Sequence, residues 1–421
     1  MNAFVPSTLL PEHWPFSLEL LPQPAYMVGG AVRDALLLRD APQAFTGKYL
    51  DIDFVLPSNA VKVARKIATH YKAGFVLLDA ERQIARVVFP HATADFAQQE
   101  GDSLETDLNR RDFTVNAIAY NPYTQEIIDP LQGCADIKKR LLRMISPANL
   151  KDDPLRLMRA YRQAAQLGFT IEPNTQDTIR SLASHITKVA AERVRAELGY
   201  MLLSSQGTPW IVSAWEDGLL GSFFKYATKD SVALLTEIDK AAARIAETWN
   251  QLGVELSQYI RDTVKTTWVG IAKLACLIKQ EPETAETELM ELTYSRAEVK
   301  AVMTAVRLLP QLKTPQLSLR EQYFLFQEAG LTFPAIAILA IAHGTPVGEI
   351  APLITRYLNP DDLVAHPTSI VSGNDIMIAL KIPASPLVGQ LLTEIAVAQI
   401  EGKVSTAAEA IEFAASLLDE K

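Results

Sequence analysis

Four short stretches of the 421-residue sequence carry side chains that could do chemistry together. The first is Tyr49–Leu56, YLDIDFVL, a β-branched and apolar run interrupted only by Asp51 and Asp53. At a strand period of two, both carboxylates project from one face, roughly 6–7 Å apart along the backbone. On a half-buried face they repel each other and lose hydration, so a cation between them is expected. All-oxygen ligation suits a hard divalent ion, Mg²⁺ before any other. The plain alternative is an edge strand with two solvated acids or lysine partners. Some twenty residues earlier, Gly29-Gly30 precedes Ala31–Leu37, the pattern of a tight turn opening a helix. Glycines there let backbone N–H groups approach an anion, and the helix start adds its positive end. Arg33 adds a fork of donors for phosphate oxygens. Neither GxxxxGK[ST] nor GxGxxG occurs, so this is not a P-loop or a Rossmann turn.

The third stretch, Arg110–Ala117 (RRDFTVNA), packs guanidinium, hydroxyl and amide groups into eight residues. Arg110 and Arg111 can neutralise a triphosphate; Thr114 and Asn116 can address a sugar hydroxyl or brace the turn. The fourth, Asp152–Arg162 (DDPLRLMRAYR), reads as a helix start with aspartates as caps and Pro154 in the first turn. Spacing of three places Asp153 with Arg156, Arg156 with Arg159, and Arg159 with Arg162 on one face. A capped helix with an ordinary i,i+3 salt bridge explains the first pair equally well, but not the three arginines in series. Glu192–Leu198, with Arg193 and Arg195, is a weaker basic stretch that a salt-bridged helix surface also explains.

These clusters need a sheet to hold the acids and helices to present the arginines. Strands are expected at Ala25–Val28, Tyr49–Leu56, Phe75–Leu78, Ile84–Phe89 and Ala92–Ala97, with helices at Ala31–Leu38 and Asn59–Tyr71. Gln98–Leu104 reads as a polar turn, and propensity leaves Thr114–Tyr120 open between helix and strand. From Pro147 onward the periodicity is helical. Ser372–Gly389 reads as a loop ahead of helices near Leu391–Ile400 and Thr406–Leu418. The expected class is α+β, a mixed-sheet head followed by helical neck, body and tail. The divisions are a loosely ordered lead-in (1–24), the head (25–145), the neck (146–205), a helical body (206–345) and a tail (346–421).

The totals narrow the function. A net charge of −9 argues against a broad nucleic-acid coat. Lys138–Tyr200, however, holds twelve Lys/Arg against six Asp/Glu, which suits a polyanion gripped in one place. Cys134 and Cys276 are too few for a disulfide framework and lack metal spacing. No leader-like or membrane-spanning run is evident, so a cytoplasmic protein is expected.

Together the motifs resemble the bacterial-type (class II) tRNA nucleotidyltransferases and the related bacterial poly(A) polymerases. The family's GG-x-V-R-D turn and DxD strand match Gly29, Gly30, Val32, Arg33, Asp34, Asp51 and Asp53. Its RRDFTxNA motif matches Arg110–Ala117, and its connecting motif matches Asp129-Pro130-Leu131, Gly133, Asp136 and Leu142-Arg143. The EDxxR motif resembles Asp152–Arg156, departing at Asp152, where Glu is usual. The resemblance runs from Val28 to Leu198, less decisively in the tail, and implies a polymerase-beta-like head. It implies that Asp51 and Asp53 hold two Mg²⁺ ions and that Gly29, Gly30, Arg33, Arg110, Arg111 and Asn116 surround the nucleotide. It further implies that Asp153 and Arg156 read the base edge of CTP or ATP, with Arg159 and Arg162 beside them. The helices, including Arg193 and Arg195, would hold the acceptor stem and T-arm of tRNA by shape. Full CCA-adding members carry a mobile loop between the DxD strand and RRDFT; here Asp95–Leu108 is compressed. That favours addition of CC, leaving the last nucleotide to a complementary A-adding enzyme. Full CCA addition, A addition and poly(A) tailing stay open. So do a noncatalytic RNA-binding protein and a nucleotidylating enzyme of another class, although both strand aspartates and the Asp153–Arg156 pair speak against them.

Overall fold

A computed structural model describes residues 7–40, 49–313 and 316–419. The spacer 41–48 ahead of the acidic strand lies outside the described residues, as does the beginning of the lead-in. The chain divides into two compact units, one running to Ala190 with Ser213–Leu219, the other Ala191–Val212 with the chain from Leu220 onward. The expected neck, 146–205, is therefore shared between the two units.

The first unit is built on a seven-stranded sheet. Its strands are β1 (Tyr26–Val28), β2 (Leu50–Leu56), β3 (Gly74–Asp79), β4 (Ile84–Phe89), β5 (Ala92–Gln98), β6 (Ala119–Asn121) and β7 (Glu126–Ile128). They lie in the order β3-β4-β5-β2-β1-β6-β7. β2 and β5 run parallel, whereas β1 pairs antiparallel with both β2 and β6. A parallel pair needs a long crossover, and it is made by α2 (Ala60–Tyr71) with β3 and β4. Helix α1 (Gly30–Asp40) follows β1 directly. α3 (Leu104–Asn109), α4 (Gly133–Lys139), α5 (Pro147–Asp152) and α6 (Leu155–Leu167) complete the surroundings of the site. The expected polar turn near Gln98–Leu104 is correct only as far as Ser103, whose hydroxyl accepts from Thr106 N and starts α3. Thr114–Asn116 is a 3₁₀ turn leading into β6.

Alternation along β2 buries Ile52, Phe54 and Leu56 completely, while Asp51 is exposed and Asp53 half-buried. Phe54 stacks on Phe96 of β5 at 5.5 Å and meets the edge of Trp14 at 4.9 Å. This corrects the expected loose lead-in. Its prolines prevent a long helix, yet the short 3₁₀ turns between them deliver Leu9, Trp14, Phe16 and Leu21 to the core. On the acidic side of the sheet, Val55 joins Val28, Leu108, Ala117 and Ala119 in a small cluster that anchors α3 near the carboxylates.

Among the described residues the second unit is helical apart from a hairpin, Tyr259–Arg261 with Val264–Thr267, which periodicity did not reveal. Its centre is the helix Phe333–Ala342, packed by Lys229–Thr248, Trp268–Leu277 and Arg296–Leu312. The stretch Leu319–Ala342 is long and apolar enough to cross a membrane, but 72% of its most apolar window is buried inside the protein, as in a core helix. The tail has its own core, including Ile376, Leu391, Ile395 and Ala410. Gly373–Leu380 is helical where a loop is expected: Ser372 and Asp375 cap each other reciprocally and start it.

Candidate active site

Gly29 joins β1 to α1 with φ +74°, a conformation costly for a residue with a Cβ. A Cβ there would also lie 3.1 Å from Asp53 Oδ2, so the turn is held against the acidic strand. One turn into α1, Arg33 donates from Nη1 to Asn116 Oδ1 at 2.7 Å and from Nε to Asp34 at 2.8 Å. Asn116 donates in turn to Asp112 Oδ1 and Gln163 Oε1, both at 2.9 Å. Both amide donors and one lone pair of its oxygen are thereby used in bracing, one of the two roles open to it from sequence. Thr114 likewise donates to the buried Asp136 at 2.7 Å.

The arginines of α6 reach this network from below. Leu155, Leu157, Met158, Ala160, Tyr161 and Ala164 bury one side of α6, and Gly168 at φ +64° ends it. Arg159 meets Asp112 at 3.1 Å. Burial alone would raise the Asp112 carboxyl, but Arg159, the Asn116 amide, the Phe113 N–H and Arg156 outweigh it and hold the group below its ordinary value. Arg156 donates from Nη1 to the carbonyls of Arg110 and Asn149, both at 2.9 Å. Asn149 ties the carbonyls of Asn109 and Arg111 at 2.7 Å. Asp153 ends α5 and accepts from Leu155 N at 3.3 Å.

Between these elements lies a cavity of about 340 Å³. Gly29, Gly30 and Asp53 form one wall, and Arg33, Arg111 and Asn116 another. Asp112, Arg156, Arg159, Arg162 and Gln163 complete it. Five guanidinium groups thus face two carboxylates, and one of those, Asp112, is neutralised by Arg159. Arg111 Nε and Arg159 Nε are buried without a hydrogen-bond partner among the described residues. Such donors fit an anion with several oxygens.

Two of the sequence expectations are redirected. Arg110 does not line the cavity; as the C-cap of α3 it is 61% exposed and pairs with Glu100 at 3.0 Å. Asp153 is also not a lining residue, although its partner in the motif, Arg156, is. Arg193 and Arg195 lie on the helix Ala191–Leu202 of the second unit and line no part of this cavity.

The strand paired with β2, β5, brings up a third carboxylate that sequence reasoning passed over, Asp95. β2–β5 pairing sets Asp53 opposite Asp95 and Asp51 opposite Thr93. Thr93 donates its hydroxyl to Asp51, and Arg86 grips Asp95 through two bonds of 2.7 and 2.8 Å. Burial, reinforced by Asp95 and Asp51, pushes the Asp53 carboxyl up to about 6, with Arg111 and Arg86 pulling the other way. Among the described residues no three His, Cys, Asp or Glu side chains form a ready metal cage. The uncompensated negative charge on Asp53, with Asp51 beside it on an all-oxygen face, nevertheless fits a hard divalent ion completed by substrate oxygens and water. Gln163 and the Arg86–Asp95 pair are functional neighbours that lie outside the motifs, and Asp112 lies inside one but was given no role there. The alternation of Thr93 and Asp95, in phase with Asp51 and Asp53, is a signal for Asp95 alone.

Comparison with known proteins gives the same segments an ancestry. Residues 25–143 match the model of the poly A polymerase head domain. Residues 168–230 match a probable RNA- and SrmB-binding site of polymerase A, and 262–415 match tRNA nucleotidyltransferase domain 2. The chain is 48% identical over 412 residues to a CC-adding tRNA nucleotidyltransferase of Synechocystis sp., covering 97% of each chain. It is 30% identical over 449 residues to an A-adding tRNA nucleotidyltransferase of Deinococcus radiodurans, covering 93% of this chain and 95% of that one. A solved CCA-adding enzyme in complex with CTP shares the fold, with a TM-score of 0.71 at 22% identity over 94% of this chain and 91% of that one.

Proposed function

The chain belongs to the tRNA nucleotidyltransferases, and from that premise we propose that it adds two cytidines from CTP to the 3′ end of tRNA and stops. The observation that carries this product is the connection between β5 and α3. It is only five residues long, Gln99–Ser103, in the interval where a switching loop belongs in CCA-adding members. Gln99 N donates to Leu56 O at 2.8 Å, and Glu100 N donates to Asp107 Oδ1 at 3.0 Å. Arg110 holds the Glu100 side chain, and Ser103 caps α3. That connection offers no lever to rearrange the site for a second base. The name carried by the 48%-identical relative supports the same product.

In the proposed reaction the terminal 3′-hydroxyl of tRNA attacks the α-phosphorus of CTP. A new O–P bond forms, the bond to the β-phosphate bridge breaks, pyrophosphate leaves and the hydroxyl proton passes to solvent. The family generally uses a divalent metal, and we assign two Mg²⁺ to Asp51 and Asp53, where they would neutralise charge and acidify the hydroxyl. Arg33, Arg111 and Arg159 bind the triphosphate from the cavity wall, preorganised by Asn116, Asp112 and Gln163. Arg156 reads the cytosine edge from the cavity wall, its anchoring to two carbonyls keeping that reader in one arrangement, while Asp153, which does not line the cavity, ends α5 just before it. The helical regions hold the acceptor stem and T-arm by shape. A complementary A-adding enzyme then finishes the end, and a cytoplasmic location goes with that substrate.

The test is extension of a tRNA lacking its 3′ end, with CTP and ATP supplied together, followed by sequencing of the ends. Ends in CC are expected. Dominant CCA ends would reject the product, and homopolymeric A on varied RNAs would move the protein among poly(A) polymerases.

A further inference from the structure

A second cavity, of about 300 Å³, lies within the second compact unit and shares no lining residue with the first. Its walls are the helix Ala191–Leu202, the hairpin Tyr259–Thr267 and the start of the helix Arg296–Leu312. Leu202, Leu203 and Val264 make part of it apolar. The polar groups are unlike those of an ordinary packing defect. Tyr294 is 8% exposed, and its hydroxyl has no hydrogen-bond partner among the described residues. A buried hydroxyl is normally satisfied, so this one is an unmet polar group beside the cavity. Arg195 sits over the Tyr294 ring, 5.7 Å from its centroid, and donates to the Thr293 carbonyl. Lys265 lines the cavity and is exposed, with no ion-pair partner among the described residues. Tyr200 also lines it and leaves 52% of its surface to solvent. The one carboxylate present, Glu298, is already taken: it accepts from Thr266 Oγ1 at 2.5 Å and from Ser295 N at 2.8 Å.

We propose that this cavity takes one nucleotide of the RNA substrate, its phosphate on Lys265 and Arg195, its base on the Tyr200 ring, and its sugar or base edge within reach of the Tyr294 hydroxyl. The chemistry is that of single-stranded nucleic-acid recognition, cations for the backbone and an aromatic face for a base. Two cations beside an aromatic face favour a phosphate-bearing ligand over an uncharged one. The wall helix also lies inside the segment 168–230 that matches an RNA-binding model. The inference rests on the reading that the chain acts on tRNA.

The experiment compares wild type with Lys265→Ala, Tyr200→Ala and Tyr294→Phe. Affinity for a tRNA lacking its 3′ end is read by fluorescence anisotropy at several salt concentrations, beside the KM for CTP. Tyr200→Ala and Lys265→Ala should each weaken tRNA binding by roughly tenfold. Lys265→Ala should also lower the slope of log affinity against log salt by about one. Tyr294→Phe, which removes only an unsatisfied oxygen, should weaken binding severalfold without lowering Tm. The KM for CTP and the rate at saturating tRNA should stay within about twofold in all three. Unchanged tRNA affinity in all three variants, with an active wild type, overturns the RNA assignment. CMP that raises Tm of wild type but not of Lys265→Ala, again with unchanged tRNA affinity, would give the cavity to a free nucleotide instead. A wild type that extends no tRNA at all overturns the functional premise, an outcome distinct from both.

Discussion

Two buried charge clusters in this chain are built on opposite principles. Lys273, in the second unit, is completely buried, and its three ammonium donors meet three acceptors: Asp239 at 2.7 Å, Thr208 Oγ1 at 2.7 Å and the Ser204 carbonyl at 3.3 Å. Burial pushes its pKa down, and Asp239 works against that shift. The cluster is closed by the chain itself. In the first unit, Arg111 and Arg159 keep buried nitrogens unpaired among the described residues, and Asp53 keeps a carboxyl lifted toward neutrality. That cluster is open, and it opens into a cavity. A buried charge satisfied by its own chain is architecture, whereas one left incomplete beside a cavity marks what the protein binds.

Breaking the open cluster should remove activity and spare the fold. Asp51→Ala should slow cytidine incorporation by roughly a thousandfold or more, with tRNA affinity and Tm nearly unchanged, because Asp51 is exposed. Primer extension beside anisotropy measures both. Breaking the closed cluster should do the reverse. Lys273→Ala should cost about 3–5 kcal/mol by leaving Asp239 uncompensated, seen as a lower urea midpoint, while the protein that remains folded keeps its kcat.

Much of the open cluster was legible because it is written locally. The period of two in YLDIDFVL, the paired glycines and the three-residue arginine spacing each predict a face from neighbours in sequence. What stayed hidden depends on long-range register. Asp95 meets Asp53 only because β2 and β5 pair in parallel after a long crossover. Gln163 meets Asn116 only because α6 docks back on the head across 47 residues. The lead-in misled because prolines forbid helices without forbidding burial. In the second unit, the hairpin beside Tyr294 is short and mostly exposed, so its alternation carried no apolar signal.

Two smaller effects separate neighbours that the motif treats alike. Arg111→Ala should raise the KM for CTP roughly tenfold to a hundredfold, the loss of a charge-assisted phosphate contact. It should also lower stability, because the buried Asp107 is left with the Glu100 N–H in place of a cation. Arg110→Ala should be the mildest substitution, changing stability by at most about 0.5 kcal/mol, as for an exposed ion pair, with the KM for CTP held near its wild-type value. CTP titrations on both variants sharpen the contrast, and a larger loss in Arg110→Ala would put the triphosphate elsewhere.

The central claim is that the head keeps Asp53 charged at the expense of its own stability, for the sake of a metal and a nucleotide. Because the folded pKa of about 6 lies above the ordinary carboxyl value, this group favours the fold below about pH 4 and loses that contribution as pH rises through about 6. Asp53→Asn removes the charge and keeps the shape, so thermal melting and cytidine incorporation measured on the same preparation test the claim directly. The account predicts a metal-free Tm at neutral pH equal to or above wild type, an advantage that shrinks as the pH falls through 6, and no detectable extension of tRNA. A variant that melts several degrees lower at neutral pH, or that still adds cytidine at saturating Mg²⁺, would contradict it.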